Sequence, residues 1–443
     1  MRVPLSPLAV ITTAIALAAP AVASAEVRPA KGSGAFVDSI GVNIHSSFGS
    51  NTPYYDHPKV LNALKSVGIR HVRDGLMTPN APATVQNRQR QFRSDLAAAG
   101  IKSTLLMGDP NADAVAHVAA IKDEGSRTIA GLEGSNEWDL HGGATWAADV
   151  RAYQRKLFEA VRAQPSLNDV PVLGPSMGHS ENAAQLGNVG AYTNFANMHL
   201  YPGGRAPGSF DDKAALLAYV VSGGQPGIVT ETGYHNAVNQ WTGGHAPTSE
   251  RATAIYLPRL FLDNFRRGIA RTFSYELLNT YSDTSKTYLE AHFGLFRGDY
   301  SEKPAAASLR NLIKLADGGE ASDPGGSLDY TLAGNLSGVQ QVLLRRKDGS
   351  YALALWQTAS VWDATYKREL YPAARPVKLT LAAPADVSTG RPGVGTALTA
   401  GPANTTTADL SVPGDDVLMV VIRPTGAPVT PVTPPTSGGD STT

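Results

Sequence analysis

Two glutamates, Glu137 and Glu231, stand at the ends of short apolar segments that have the composition of β-strands. Two carboxyl groups held about 5 Å apart can break a glycosidic bond in two steps, in which one attacks the anomeric carbon and the other protonates the leaving oxygen. The attacking group must stay ionised, which a neighbouring arginine favours, and the acid must hold its proton, which apolar surroundings favour. Arg73 is the predicted partner of Glu231, and Trp138 is predicted to give Glu137 apolar surface or to stack on a sugar ring.

Further polar and aromatic side chains fall at the ends of predicted strands, and this shared position makes them candidates for the same site: His45, Asn136, His199, Tyr201, Tyr275 and Glu276. Several have a structural alternative. His45 and His199 are either substrate ligands or histidines bonded to backbone within the core. Glu276 is either a third carboxylate of the site or a charge paired inside the fold. Tyr234, in the loop after Glu231, either lines a subsite or has no role.

These residues need a fold that brings several strand ends to one edge, and residues 36–318 have the pattern for it. Short apolar runs alternate there with longer amphipathic ones, such as His57–Val67 and Asp211–Val221. The eight predicted strands are Ile40–Ile44, Ile69–Arg73, Ser103–Met107, Ile129–Gly134, Val170–Gly174, Phe195–Leu200, Gly227–Thr230 and Thr272–Leu277. Eight strand–helix units predict an α/β fold, a (β/α)₈ barrel, whose functional residues lie at the C-terminal ends of the strands.

The pattern changes after residue 318, where helical periodicity is replaced by short strand-like runs between turn signals. The segment Lys347–Ser350 reads as a hairpin turn between two of these runs. Residues 319–424 are therefore predicted to form an all-β sandwich, with a first strand taken from the mature N-terminus. Residues 425–443 are rich in Pro, Thr and Gly, and we expect them to be a disordered tail.

Composition narrows the class of protein. The 443 residues include 38 Lys+Arg and 38 Asp+Glu, so no basic surplus indicates nucleic acid or an anionic membrane as a partner. There is no cysteine, which excludes disulfides, thiol catalysis and cysteine metal sites. Residues 1–25 combine a positive end, an apolar run too short to span a membrane and a small-residue site ending at Ala25, which predicts export and secretion after cleavage.

Several motifs resemble those of glycoside hydrolase clan A. Ser135-Asn136-Glu137 is similar to the Asn-Glu signature of the clan's acid/base, and Thr230-Glu231-Thr232-Gly233 to its nucleophile strand. His199-Leu200-Tyr201-Pro202 resembles the sixth-strand segment whose tyrosine bonds the nucleophile. Gly41-Val42-Asn43-Ile44-His45, with Ile69-Arg70-His71-Val72-Arg73, looks closest to family 39 and related bacterial polysaccharide hydrolases.

The resemblance spans residues 40–315 and implies a retaining O-glycoside hydrolase acting on an oligo- or polysaccharide. By it, Glu137 is the acid/base and Glu231 the nucleophile, Asn136 contacts the sugar 2-hydroxyl, and Tyr201 and Arg73 support the nucleophile. Neither a metal nor another cofactor is implied. The clan's eighth strand often ends in a tryptophan, whereas this chain has Tyr275-Glu276 there, which leaves the sugar and the endo or exo mode open.

Two other classes of function remain open at this point. Gly174-Pro175-Ser176-Met177-Gly178 matches the nucleophile elbow of serine esterases, which requires an open sheet with an acid and a histidine further along the chain. The barrel could also bind carbohydrate without cleaving it. Oligomeric state does not follow from the sequence.

Overall fold

A barrel of parallel strands forms the larger part of the computed structural model, which describes residues 26–208, 224–240, 245–316 and 325–425. The predicted signal peptide (1–25), the predicted helix Asp211–Val221 and the predicted tail beyond residue 425 lie outside the described residues. The first nine strands are β1 (Glu26–Gly32), β2 (Ile40–Asn43), β3 (His71–Gly75), β4 (Lys102–Leu106), β5 (Ile129–Glu133), β6 (Val172–Leu173), β7 (Ala196–His199), β8 (Gly227–Thr232) and β9 (Thr272–Ser274).

Strands β2 to β9 are hydrogen-bonded in the order β6-β5-β4-β3-β2-β9-β8-β7, and their pairings are parallel. A parallel bridge between Leu173 of β6 and Phe195, just before β7, joins the two ends of this order and closes the barrel. The predicted (β/α)₈ architecture is confirmed. Because parallel strands share one polarity, their C-terminal ends meet at one rim.

Helices connect these strands and cover the barrel. They are α1 (Ser33–Asp38), α2 (His57–Val67), α3 (Ala83–Ala98), α4 (Ala114–Ile121), α5 (Gly125–Thr128), α6 (Trp146–Arg162), α7 (Ala183–Leu186), α8 (Glu250–Arg266) and α9 (Pro304–Ala316). Local signals explain α2: the Asp56 side chain accepts from the Lys59 N–H, Pro58 occupies the first turn, and Gly68 ends the helix at φ +90°. Among the described residues, no helix is both long and apolar enough to cross a membrane.

The remaining strands form a second, largely antiparallel sheet. They are β10 (Gly326–Gly334), β11 (Val339–Arg345), β12 (Tyr351–Gln357), β13 (Trp362–Asp363), β14 (Arg368–Glu369), β15 (Arg375–Gly390), β16 (Thr399–Ala400), β17 (Thr405–Val412) and β18 (Val417–Pro424), with β13 and β14 forming a separate hairpin. Strand β15 pairs with β10 in its first half and with β18 in its second, so the sheet folds over a shared apolar core. The all-β prediction is confirmed, and β1 joins this sheet between β10 and β11.

The two parts of the chain pack tightly through α8. The buried guanidinium of Arg259 donates to the carbonyl oxygens of Ala359 (3.1 Å) and Gly414 (2.8 Å), and the indole N–H of Trp362 donates to that of Pro247 (2.8 Å). Burial lowers the pKa of Arg259 to about 10. The β-domain is thereby fixed against the chain segment that leads into α8.

Candidate active site

Glu137 lies in the loop after β5, at the rim where the strands end. Its backbone has φ +46° and ψ +37°, a left-handed conformation that costs a non-glycine residue roughly 1–3 kcal/mol. The Glu137 N–H donates to the carbonyl oxygen of Ser176 (3.1 Å), which ties this loop to the one after β6. The strained conformation is thus held by the surrounding loops, and such positions cluster at functional sites.

Glu231 is the fifth residue of the six in β8, and its side chain is almost buried. The Arg73 guanidinium donates to its Oε1, and the Tyr201 hydroxyl donates to its Oε2 at 2.8 Å. A carboxylate whose two oxygens both accept hydrogen bonds, one of them from a guanidinium, is held in a fixed orientation. The partner predicted for Glu231 is in place.

Arg73 is held by more than Glu231. Its guanidinium forms two hydrogen bonds with Glu133, which is fully buried, and its Nη2 also donates to Oδ1 of Asn136 (2.6 Å). Burial opposes the Arg73 charge, yet the two glutamates raise its pKa far above the ordinary value. Because Oδ1 of Asn136 accepts from Arg73, the amide NH₂ of Asn136 is left to donate elsewhere.

The two candidate catalytic carboxylates and His199 converge. One ligand atom from each of Glu137, His199 and Glu231 lies within 4.8 Å of the others. This spacing could also surround a metal ion, but both oxygens of Glu231 already accept from Arg73 and Tyr201. A carboxylate paired with a guanidinium is a poor ligand for a second cation, so the donor set fits acid–base chemistry better than metal binding.

Buried His199 couples the two carboxylates. Its Nδ1 lies 2.6 Å from Oε1 of Glu137, and its Nε2 lies 3.2 Å from the hydroxyl of Thr230. Burial disfavours the His199 charge, but Glu231 and Glu137 outweigh it and raise the pKa of the imidazole. Burial alone would raise the pKa of Glu137, yet the hydrogen bond and charge of His199 lower it. Both shifts favour the proton on His199 beside an ionised Glu137, and the two groups titrate as a pair.

His45 and Glu276 form a second pair beside this centre. Nε2 of His45 lies 3.0 Å from Oε2 of Glu276, which also accepts from the Tyr54 hydroxyl (3.0 Å). Burial opposes the His45 charge, but Glu276 raises its pKa overall. His45 lines the cavity, whereas Glu276 is fully buried behind it. The peptide bond between Tyr275 and Glu276 is cis.

A cavity of about 440 Å³ opens at the rim above these groups. Of the residues predicted from the sequence, it is lined by His45, Arg73, Asn136, Glu137, Tyr201, Glu231 and Tyr275. Buried His199 lies beneath it, bonded to Glu137.

Two predicted residues lie elsewhere. Trp138 packs against the cluster around Trp146, so it does not line the cavity. Tyr234 is buried against Tyr256, and its hydroxyl donates to the carbonyl oxygen of Arg205 (3.1 Å). The structure gives both side chains packing roles.

The cavity also has walls that the sequence reasoning did not identify. Phe48, His245 and Phe293 supply aromatic surface, and Glu290 supplies a further carboxylate. Oε2 of Glu290 accepts from the Tyr275 hydroxyl (3.2 Å), and burial followed by the charge of Glu276 raises the pKa of Glu290. These residues lie in loops outside the strands. No regular alternation of apolar and polar residues indicates there which way a side chain points.

Ser176 lacks the surroundings of an esterase nucleophile. Its hydroxyl donates to Oδ1 of Asn136 at 3.5 Å, and within the described part of the chain no histidine is hydrogen-bonded to it. The closed barrel also replaces the open sheet that the esterase hypothesis required. Gly174-Pro175-Ser176 instead follows β6, and the carbonyl oxygen of Ser176 accepts from the Glu137 N–H, which supports the loop that carries Glu137.

Comparison with solved structures finds the same fold in glycoside hydrolases. A family 39 glycoside hydrolase from Bacteroides cellulosilyticus WH2 is 16% identical, with a TM-score of 0.59 over 88% of this chain and 82% of that one. A glucosidase from Croceicoccus marinus is 12% identical (TM-score 0.55, 90% and 99% covered). A GH51 arabinofuranosidase from Xanthomonas axonopodis pv. citri is 15% identical (TM-score 0.53, 90% and 100% covered).

These likenesses cover both the barrel and the β-domain, so the fold expected from the clan A resemblance is confirmed. No protein-family model matches the sequence, and no curated protein matches it significantly. At such low identity the shared fold does not transfer an activity, and function must be argued from the site.

Proposed function

We propose that this protein is a retaining glycoside hydrolase that cleaves O-glycosidic bonds of an oligo- or polysaccharide by double displacement. The observation that carries the proposal is that carboxylate oxygens of Glu137 and Glu231 lie within 4.8 Å of each other at one cavity. Retaining enzymes hold their carboxyl groups about 5–5.5 Å apart, whereas inverting enzymes leave room for a water at about 6.5–9.5 Å.

In the first step, Glu231 attacks the anomeric carbon and the leaving oxygen takes a proton from Glu137. Arg73 and Tyr201 each donate to one oxygen of Glu231 and hold its carboxylate in place, which supports the role of nucleophile. The proton comes from the Glu137–His199 pair, because His199 holds it until the leaving oxygen becomes basic.

In the second step, Glu137 acts as a base and takes a proton from water, which attacks the same face of the sugar that the leaving group left. The glycosyl–Glu231 bond breaks and the product keeps its anomeric configuration. Asn136 lines the cavity and its Oδ1 accepts from Arg73, so its amide NH₂ is the group that can donate to a sugar hydroxyl.

The direct test is incubation of the purified protein with a panel of polysaccharides and aryl glycosides, with product analysis and ¹H NMR of the first anomer released. We expect cleavage with retention, and its loss in Glu137→Gln and Glu231→Gln without loss of folding. Glu159→Gln is the matched control, since Glu159 is exposed on α6. Initial release of the opposite anomer would contradict the mechanism, and folded protein that binds glycans without cleaving any would favour the binding-protein alternative.

We further propose that the protein acts outside the cytoplasm. The positive end, apolar run and small-residue site of residues 1–25 support export. N-terminal sequencing of the protein recovered from the culture medium or periplasm should give a start near Glu26. An intact Met1 on exported protein would contradict cleavage at this site.

A further inference from the structure

We propose that the exposed rings of Tyr281 and Tyr288 form a sugar-binding platform beside the catalytic cavity, where they hold a neutral glycan chain beyond the bond that is cleaved. This inference rests on the proposed function and deepens it, because it assigns the protein a substrate longer than the cavity. Both rings are about half exposed, at 48% and 49%, and their centroids are 5.8 Å apart at an interplanar angle of 50°.

The platform is connected to the cavity wall by consecutive residues of one loop. Tyr288 directly precedes Leu289 and Glu290, which both line the cavity, and Glu290 is fixed there by the Tyr275 hydroxyl (3.2 Å). A short 3-10 turn, Leu289–Ala291, follows Tyr288 and sets the direction of the chain between platform and cavity. A glycan leaving the cavity on this side therefore meets the two rings.

The loop that carries the rings is braced rather than loose. Oδ2 of Asp283 accepts from the backbone N–H groups of Thr287 and Tyr288, both at 2.7 Å. From the loop after β8, the Asn239 side chain donates to the carbonyl oxygen of Ser285 (2.6 Å). Such bracing lowers the entropy lost when a ligand is bound.

A second brace reaches the start of the cavity wall. Oε1 of Gln240 accepts from the Leu289 N–H at 2.9 Å, so the residue after Tyr288 is anchored to a neighbouring loop. The exposed ring faces are consequently presented in a fixed place. Single exposed apolar side chains are ordinary, but a braced aromatic pair at the edge of a cavity is the arrangement of a binding surface.

The platform borders an open depression in which hydroxyl groups lie beside ionic side chains that are partly paired with one another. Tyr281 lines this depression of about 710 Å³ together with exposed Ser282 and Thr284, whose hydroxyl groups can bond those of a sugar. Two of the ionic groups lining this depression are paired with each other, since Nη2 of Arg297 lies 2.7 Å from Oε2 of Glu250. Tyrosine presents an apolar ring face for the C–H face of a sugar and a hydroxyl for its edge.

The test compares substrates of different length. Tyr281→Ala and Tyr288→Ala should each lower kcat/KM on long neutral oligosaccharides about tenfold, as expected for a lost aromatic contact, and leave an aryl monoglycoside unchanged. Tyr366→Ala is the matched control, because this tyrosine is 73% exposed but lies in the β13–β14 hairpin. Unchanged kcat/KM on the long substrates, or an equal loss on the aryl monoglycoside, would overturn the platform.

Binding separates this inference from the proposed function. Calorimetric titration of Glu231→Gln protein with cello-, xylo- and arabino-oligosaccharides, with and without the double change Tyr281→Ala/Tyr288→Ala, requires no turnover. Binding that the double change weakens about a hundredfold supports the platform even if the wild-type protein cleaves nothing. The platform is overturned if the double change leaves binding intact. It is also overturned if the protein binds none of the oligosaccharides in the panel.

Discussion

Nδ1 of His199 lies 2.6 Å from Oε1 of Glu137 and 3.6 Å from Oε2 of Glu231, so one buried imidazole faces both carboxylates of the site. Burial opposes its charge, but the two glutamates together raise its pKa. Apolar surroundings, expected from the sequence to keep the acid protonated, are replaced here by a histidine that carries the proton. The proposed acid is therefore the Glu137–His199 pair, whose titration belongs to both groups.

The pair predicts how activity depends on pH. The pKa of His199 is raised, so the pair keeps its proton above the ordinary range of histidine, near pH 6.5, and activity falls as pH rises through the raised value. In His199→Asn, Glu137 must carry the proton alone, and the alkaline limb of kcat should move to lower pH. His179→Asn is the control, because His179 is exposed. An alkaline limb that stays in place in His199→Asn would contradict the shared proton.

Replacing Glu137, the proposed acid, should change how the rate depends on the leaving group of the substrate. In Glu137→Gln, kcat should fall about 10²–10⁴-fold on substrates with a poor leaving group, because general acid catalysis contributes that much. On a dinitrophenyl glycoside, whose leaving oxygen needs no proton, the first step should be nearly unaffected. The measurement is the burst of dinitrophenol and the slope of log kcat/KM against leaving-group pKa. An equal loss across all leaving groups would rule out Glu137 as the acid.

The hydroxyl group that bonds the proposed nucleophile, Glu231, can be tested by removing one atom. Tyr201→Phe removes the 2.8 Å hydrogen bond to Oε2 of Glu231, and hydrogen bonds to charged groups contribute about 1.5–3 kcal/mol. We expect kcat to fall about 10- to 100-fold with a smaller change in KM. Tyr234→Phe is the matched control, since its hydroxyl donates to a backbone carbonyl away from the cavity. An unchanged kcat in Tyr201→Phe would show that the Tyr201 hydroxyl does not support Glu231 in the reaction.

Much of the barrel could be predicted because its signals are local. The bounds of α2 follow from Asp56, Pro58 and Gly68, and the bounds of seven of the eight barrel strands lie within two residues of the predicted ones, whereas β9 ends three residues before the predicted Leu277. Convergence of Glu137 and Glu231 also follows from the sequence, since parallel strands place their C-terminal ends at one rim. In the β-domain, the alternation of short apolar runs and turn signals does not predict that β15 continues for 16 residues.

Side-chain direction in the loops could not be predicted. Tyr234 follows Glu231 by three residues but turns into the core against Tyr256, and Trp138 packs against the cluster around Trp146. Glu290 lies 14 residues beyond Glu276, in a loop with no periodic pattern. Of these two glutamates, Glu290 lines the cavity and Glu276 does not. Loop geometry is set by long-range contacts, which a single sequence does not display.

A buried lysine joins three of the segments that support the cavity. Nζ of Lys303 donates to Oδ1 of Asn236 (3.1 Å), to Oδ1 of Asn279 (3.0 Å) and to the carbonyl oxygen of His292 (3.0 Å). Its side chain is 3% exposed, and burial lowers its pKa to about 7. His292 directly precedes Phe293 of the cavity wall, so the ammonium group positions the loop that carries that wall.

The lowered pKa of Lys303 predicts how stability depends on pH. The unfolded chain holds this proton up to about pH 10.4, so between pH 7 and pH 10 it binds more protons than the folded chain, and the free energy of unfolding rises with pH. Lys303→Met removes this contribution. From pH 7 to pH 10, the free energy of unfolding of the wild type should therefore increase by about 4 kcal/mol relative to that of the variant, since one pKa unit is 1.36 kcal/mol. Urea unfolding at several pH values measures the difference, and Lys314→Met, exposed on α9, is the control. A constant difference between wild type and Lys303→Met would show that Lys303 does not titrate in this window.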